Sequence, residues 1–303
     1  MEITVATIIE FLGERVAWYS TPTSAPLIGV SALSPGESGA ITFATAKSLQ
    51  TPQAVASSES AAILVPADSE RRESASVLIG VVNPRLEFAR IATEFFPPEI
   101  QPAVHSSAVI DPTSTIGAGC TIGPGVHVAA GVEIGEFCTL ESNAAILPGT
   151  RIGNSTHIGP NSSIGFAGFG FERDLDGTPV RMPHYGGVLI GDHVEVGANT
   201  CIDRGTFGDT VIADHVKIDN LVHVAHNCTI EEGAFLIAGA IIGGGVHVGR
   251  HSWVSINASI REQLVVGDDA VVGMAATVTR DVPDGETVIG SPARVFVPPT
   301  PRR

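Results

Sequence analysis

Aliphatic residues stand at every sixth position over most of this chain. Ile110, Ile116, Ile122, Val128, Ile134, Leu140, Ile146, Ile152, Ile158 and Ile164 form a first run. Ile212, Ile218, Val224, Ile230, Leu236, Ile242, Val248, Val254, Ile260, Val266, Val272 and Val278 form a second. A helix of 3.6 residues per turn would scatter such a set around its axis. Short strands joined by turns can instead point one branched residue per hexad into a narrow core. The spacing therefore predicts a mainly β coil of stacked parallel strands over residues 101–280. Gly, Asn, Asp or Glu follows most of these aliphatic residues, which predicts corners there.

Residues 1–100 lack the rhythm. Val5 to Glu14 predicts a short helix, and Leu27–Val30, Ala40–Phe43, Ala61–Val65 and Ser76–Val81 predict strands. Asn83 and Pro84 are capping and first-turn residues for a second helix reaching Thr93. Together they predict a small α/β domain, ended by Pro97 and Pro98. The coil itself breaks at 165–187, around Gly168-Phe169-Gly170-Phe171, and resumes at Ile190, Val196 and Ile202. Four extra residues then fall between Ile202 and Ile212, within Arg204 to Asp209. Loops thrown out of a regular solenoid are where sites are built. Residues 281–303 read as an irregular, Pro-rich tail.

Charge narrows the function classes. The chain carries a net charge of −15, and its basic side chains are nearly all arginine, Lys47 and Lys217 being the lysines. That balance argues against nucleic-acid binding, which draws on clustered Lys and Arg. The N-terminus shows no basic region followed by an apolar run, so no signal peptide is expected. No apolar stretch is long enough for a membrane span. Cysteines without paired spacing suit a reducing compartment, so a cytoplasmic protein is expected. Cys120 and Cys138 stand eighteen residues apart and read as stacked, buried thiols.

Chemistry concentrates between Asp219 and Cys228, a polar window in an aliphatic ladder. His226 lies two positions after Val224, in a turn where a side chain can leave the stack. Gly244 follows Ile242 by the same two residues, one eighteen-residue step later. Were three hexads to make one coil, stacked strands roughly 5 Å apart would let a base at His226 and a backbone N–H at Gly244 flank one carbonyl. Asp219 and Asn220 could bind substrate, orient the histidine or satisfy turn backbone. His223 could touch substrate or face another side of its corner. Phe169 and Phe171 read as a pocket wall. His215, His223, His226 and His247 leave zinc open as an alternative, although no metal site is expected.

The hexad pattern resembles the hexapeptide-repeat acyltransferases. That resemblance implies a left-handed parallel β-helix of eighteen residues per coil and a homotrimer with sites between subunits. The preference of parallel crossovers for the right hand would alone have argued the other way. Over nearly the whole chain, the order of several motifs is similar to the UDP-3-O-(3-hydroxyacyl)glucosamine N-acyltransferases of lipid A biosynthesis. These are Gly39-Ala40-Ile41-Thr42-Phe43, Asn83-Pro84, Gly168-Phe169-Gly170-Phe171, Ile202-Asp203-Arg204-Gly205, Ile218-Asp219-Asn220 and Ala225-His226-Asn227. The resemblance implies His226 as catalytic base, Gly244 N–H as oxyanion donor and Phe43 as a stacking surface for uracil. It also implies an amino-sugar nucleotide as acceptor and no cofactor beyond an acyl–acyl carrier protein or acyl-CoA donor.

Departures from the family pattern accompany it. The loop after Phe43 lacks the family's Asn and Tyr, and Gln263 stands where a second histidine is usual. No counterpart of the C-terminal helical extension is expected. Arg280, Arg294, Arg302 and Arg303 then read either as a solvated tail that keeps the end of the coil soluble or as a basic landing site for an acidic carrier protein. Rival readings are a short-chain acyl-CoA-dependent amino-sugar acyltransferase and a non-catalytic or zinc-binding β-helix.

Overall fold

The computed structural model describes residues 2–21, 26–49, 55–70, 74–97, 101–292 and 294–295. The chain forms two compact units, Met1–Glu99 and Ile100–Arg303.

The first unit is a five-stranded sheet with helices. Helix α1 (Val5–Leu12) is capped by Thr4 and leads into β1 (Val16–Tyr19). Then follow β2 (Gly29–Val30), β3 (Ala40–Phe43), the single turn α2 (Ala46–Leu49), β4 (Ala62–Pro66), β5 (Val77–Val81) and α3 (Pro84–Phe95). The strand order is β1-β5-β4-β3-β2, with β1 antiparallel to β5 and the rest parallel. The Asn83 side chain accepts the Leu86 N–H at 3.2 Å, so the cap expected for α3 is present. Strand β1 was not expected from the sequence, although Val16-Ala17-Trp18-Tyr19 is a short apolar run; its side chains alternate between half-buried and exposed.

The second unit is the coil. Among the described residues its strands form three sheets of eight, nine and ten strands, parallel apart from the last pair. Val224 pairs with Ile242 eighteen residues on, and Ile202 with Val224 across the stretched coil. Ile164 pairs with Ile202 across the 165–187 excursion, which contains an antiparallel hairpin of Phe171–Arg173 and Pro179–Arg181. The predicted aliphatic positions are buried from Ile122 onward, while Ile110 and Ile116, in the first coil, are partly covered.

Two details differ from the expectation of one inward residue per hexad. A second, smaller residue also points inward four positions later: Cys120, Val126, Cys138, Ala144, Val222, Cys228 and Ala234 are all buried. Where that residue is polar, its hydrogen bonds to the next coil make burial tolerable. The Thr156 and Ser162 hydroxyls donate to the carbonyls of Gly191 and Gly197, at 2.9 and 2.7 Å. The Cys228 thiol reaches the Gly243 carbonyl at 3.1 Å, and burial pushes its pKa up to about 11. Cys120 and Cys138 are likewise buried free thiols. The left-handed backbone, moreover, falls not directly after the aliphatic residue but three positions on. Asn143, Asn161, Asn199 and Asn227 have φ near +60° there, a conformation that Asn tolerates better than most residues.

Regular structure also continues past residue 280, where an irregular tail was expected. Thr287–Ile289 extends one sheet and Arg294–Val295 pairs back on it. Val282 and Val288 are buried but stand sixteen residues after Val266 and Val272. This shortened coil breaks the six-residue count without breaking the core. Arg302 and Arg303 lie outside the described residues.

Candidate active site

His226 sits at the corner after the strand His223–Val224. Its coil is locked to the next by the Gly245 N–H, which donates to the His226 carbonyl at 2.9 Å. The His226 ring then reaches across to Gly244. A methyl group built on Gly244 would stand 2.8 Å from His226 Cε1 and 2.9 Å from Nε2. The expected pairing of imidazole and glycine is therefore a close contact, and a side chain at 244 would displace the imidazole.

Asn227 fixes the ring's chemistry. Its Oδ1 accepts the Thr206 N–H at 3.0 Å, and its Nδ2 donates to the Gly208 carbonyl at 3.2 Å. With the amide so oriented, Oδ1 faces His226 Nδ1 at 3.1 Å. An amide oxygen can only accept, so Nδ1 carries the proton and Nε2 keeps its lone pair. That free nitrogen is the one beside Gly244.

Among the described residues the Gly244 N–H is one of several corner amides that no side chain caps. At several equivalent corners the amide two positions after the aliphatic residue is capped by a side chain of a following coil. Arg250 N–H donates to Asp268 at 2.8 Å, Glu136 N–H to Asn154 at 2.9 Å and Ala198 N–H to Asn220 at 2.7 Å. Gly243 and Gly245 bond to the carbonyls of Ile260 and His226. Among the described residues Gly244 N–H has no acceptor. A free amide beside an unprotonated imidazole nitrogen can hold a developing oxyanion while the imidazole takes a proton.

Around this pair lies a cleft of about 340 Å³. Phe169 borders it, as the excursion suggested, and so do His223 and Gln263. Phe171 packs on Phe169 with ring centroids 5.0 Å apart, and the Arg181 guanidinium lies over the Phe171 ring at 5.2 Å. It supports the wall without lining the cleft. Sequence reasoning did not single out Asp203, Asn227 or Glu262 as site residues, although Asp203 and Asn227 stood inside quoted motifs. Asp203 is 8% exposed and its carboxylate lies 3.8 Å from His223 Nε2. Burial raises its pKa above the ordinary carboxylate value, against the opposing pull of His223, His226 and His184. Asp203 directly follows a core isoleucine, but so does Asp219, so its position offered no signal that sets it apart.

Asp219 and Asn220 do not join His226 within one chain. They border a separate depression with Phe235 and Lys217, on the sheet that carries Lys217–Ile218. There Asp219 accepts the N–H groups of Asn220 and Ala238, and Asn220 that of Ala198. Phe43, in the first unit, is half-buried against Phe88 at 5.0 Å between rings. Among the described residues no three His, Cys, Asp or Glu side chains group as metal ligands. His215 stacks on His193, and His247 stands 3.8 Å from Glu231.

Such a solenoid is that of the bacterial hexapeptide transferases. Residues 102–136 and 131–165 match the family model described as bacterial transferase hexapeptide (six repeats). The fold is the left-handed parallel β-helix. Solved structures of UDP-N-acetylglucosamine acyltransferases superpose on it over 64% of this chain. The Francisella novicida enzyme matches with a TM-score of 0.59 at 27% identity over 70% of its own length. The Bacteroides fragilis enzyme matches with 0.58 at 26% over 74%. The UDP-3-O-acylglucosamine N-acyltransferase of Polynucleobacter asymbioticus is 36% identical, covering 73% of this chain and 71% of that protein. A relative of the same name from Anaeromyxobacter dehalogenans is 35% identical over 74% and 69%. This chain belongs to the UDP-3-O-acylglucosamine N-acyltransferase family.

Proposed function

We propose that this chain transfers an acyl group from a thioester to the amine of a UDP-3-O-acylglucosamine. The free Gly244 amide held against the unprotonated Nε2 of His226 carries the reading. The amine attacks as the neutral base, forming the C–N bond at the thioester carbonyl. His226 Nε2 takes the proton released by the nitrogen, and Gly244 N–H bonds the tetrahedral oxyanion. Collapse breaks the C–S bond, and the imidazolium returns its proton so that a thiol departs. His226, Gly244 and the two substrates suffice for this route, without a metal or a covalent enzyme intermediate.

Phe43 would stack on the uracil, and the Phe169 side of the cleft would receive the donor, an acyl–acyl carrier protein or acyl-CoA in the cytoplasm. The Asp219–Asn220 depression would complete the site from a neighbouring copy in a homotrimer. The test is a coupled assay with UDP-3-O-acylglucosamine and both donor types. His226→Ala should lower turnover by roughly 10²–10⁴, the range for losing a positioned general base, with the fold unchanged by circular dichroism. Turnover within about threefold of the parent would remove His226 from the mechanism.

A further inference from the structure

A second imidazole stands beside that of His226. His184 lies near the end of the 165–187 excursion, its ring centroid 5.3 Å from that of His226 and the planes at 72°. Its Nδ1 is 3.1 Å from the Met182 carbonyl, which makes Nδ1 the protonated nitrogen. Nε2 is then a lone pair, shut off from solvent and without a partner among the described residues. A buried acceptor left unpaired is costly and calls for a reason.

The surrounding glycines show how closely the two rings are held. A methyl group at Gly168 would stand 2.9 Å from His226 Cδ2 and 3.1 Å from His184 Nε2. One at Gly170 would stand 2.9 Å from His184 Cε1. The two ring edges thus border the same point, and the Gly-Phe-Gly stretch is shaped to admit them. His184 is also anchored from behind, since the next residue, Tyr185, donates its N–H to the Thr206 carbonyl at 2.7 Å. Thr206 is the residue whose N–H orients Asn227.

We propose that His184 is a positioning residue for the acyl transfer, its neutral imidazole favouring the imidazolium that His226 becomes on taking the amine proton. The proposal rests on His226 being the base. A lone pair at the edge of a ring attracts that ring more strongly once it is cationic, and does so most in a site from which water is excluded. The other groups facing His226 are Asn227 on its own corner, Asp203 and His223 beside it, and Glu262 and Gln263 across the cleft. Of these Asp203 and Glu262 are acidic. Asp203 is buried with a raised pKa, and Glu262 is exposed. The His184 lone pair adds to both without bringing a charge of its own.

Two substitutions separate this role from mere packing. His184→Leu keeps bulk and removes the acceptor, while His184→Gln restores one through its side-chain carbonyl. The leucine variant should lose about tenfold in kcat with KM within twofold, and the acid limb of its kcat/KM profile should move to lower pH. The glutamine variant should stay within about threefold of the parent. Both lie outside the ladder and should keep the parent's Tm to within a few degrees; His184→Met is the second apolar variant if leucine misfolds. Nitrogen NMR of the His226 ring, recorded without substrate, should show its titration displaced to lower pH by leucine and not by glutamine. Equal behaviour of the leucine and glutamine variants, in rate and in titration, would overturn the proposal. A displaced titration in a protein that transfers no acyl group would instead overturn the acyl-transfer reading and leave the His184–His226 coupling standing.

Discussion

Asp203 is a carboxyl group in a place unsuited to its charge. Burial raises its pKa, and three nearby imidazoles oppose the rise. The folded protein therefore holds a proton on Asp203 at pH values where the unfolded chain has released it. Stability contributed by this group is present below the ordinary carboxylate pKa of 3.8 and is lost as pH climbs through the higher folded value. Asp203→Asn should remove that decline, and urea denaturation of both proteins across acidic pH would measure it. A parent curve as flat as the variant's would deny the shift. The His226–Gly244 contact could be deduced from the sequence because its two members share a register position eighteen residues apart. Asp203 could not, since Glu141, Asp219 and Glu231 stand at the same place in their hexads and are only half-buried, so periodicity does not set Asp203 apart.

At the scale of the element, a corner of this coil is a small device with one adjustable part. Its amide is either capped by the following coil or left available. Glu262 occupies, relative to Gly244, the position that Asp268 occupies relative to Arg250, where the shorter carboxylate accepts the amide at 2.8 Å. The extra methylene of Glu carries its carboxylate beyond that amide and out to the cleft. Glu262→Asp should cap Gly244 N–H from within, lowering kcat by roughly 10²-fold, as when an oxyanion donor is lost, while leaving Tm unchanged or higher. Steady-state kinetics beside a melting curve would show it, and an undiminished kcat would mean that Gly244 N–H is not the donor. The strands themselves were legible because branched residues at period six admit one arrangement. The second inward column was less so, because Cys, Ala, Thr and Ser are small enough to read as turn residues. The shortened coil at Val282 was hidden for a simpler reason, its count of sixteen instead of eighteen.

For the whole molecule, the separation of Asp219 and Asn220 from His226 within one chain carries a prediction about assembly. If the site is completed by a neighbour, light scattering should return three chain masses, and dilution to a monomer should abolish transfer together with the trimer. Activity that persists in a monomer would confine the site to one chain. The stacked coils also keep their register across very different path lengths. Ile164 meets Ile202 after 38 residues, Ile202 meets Val224 after 22, and Val224 meets Ile242 after 18. Each detour leaves the column and rejoins it in phase, so the ladder is indifferent to what happens outside it. Substrate preference could then drift through the length and composition of two surface excursions while the scaffold accumulates no strain, which makes this fold a chassis on which specificity is rewritten and stability is not.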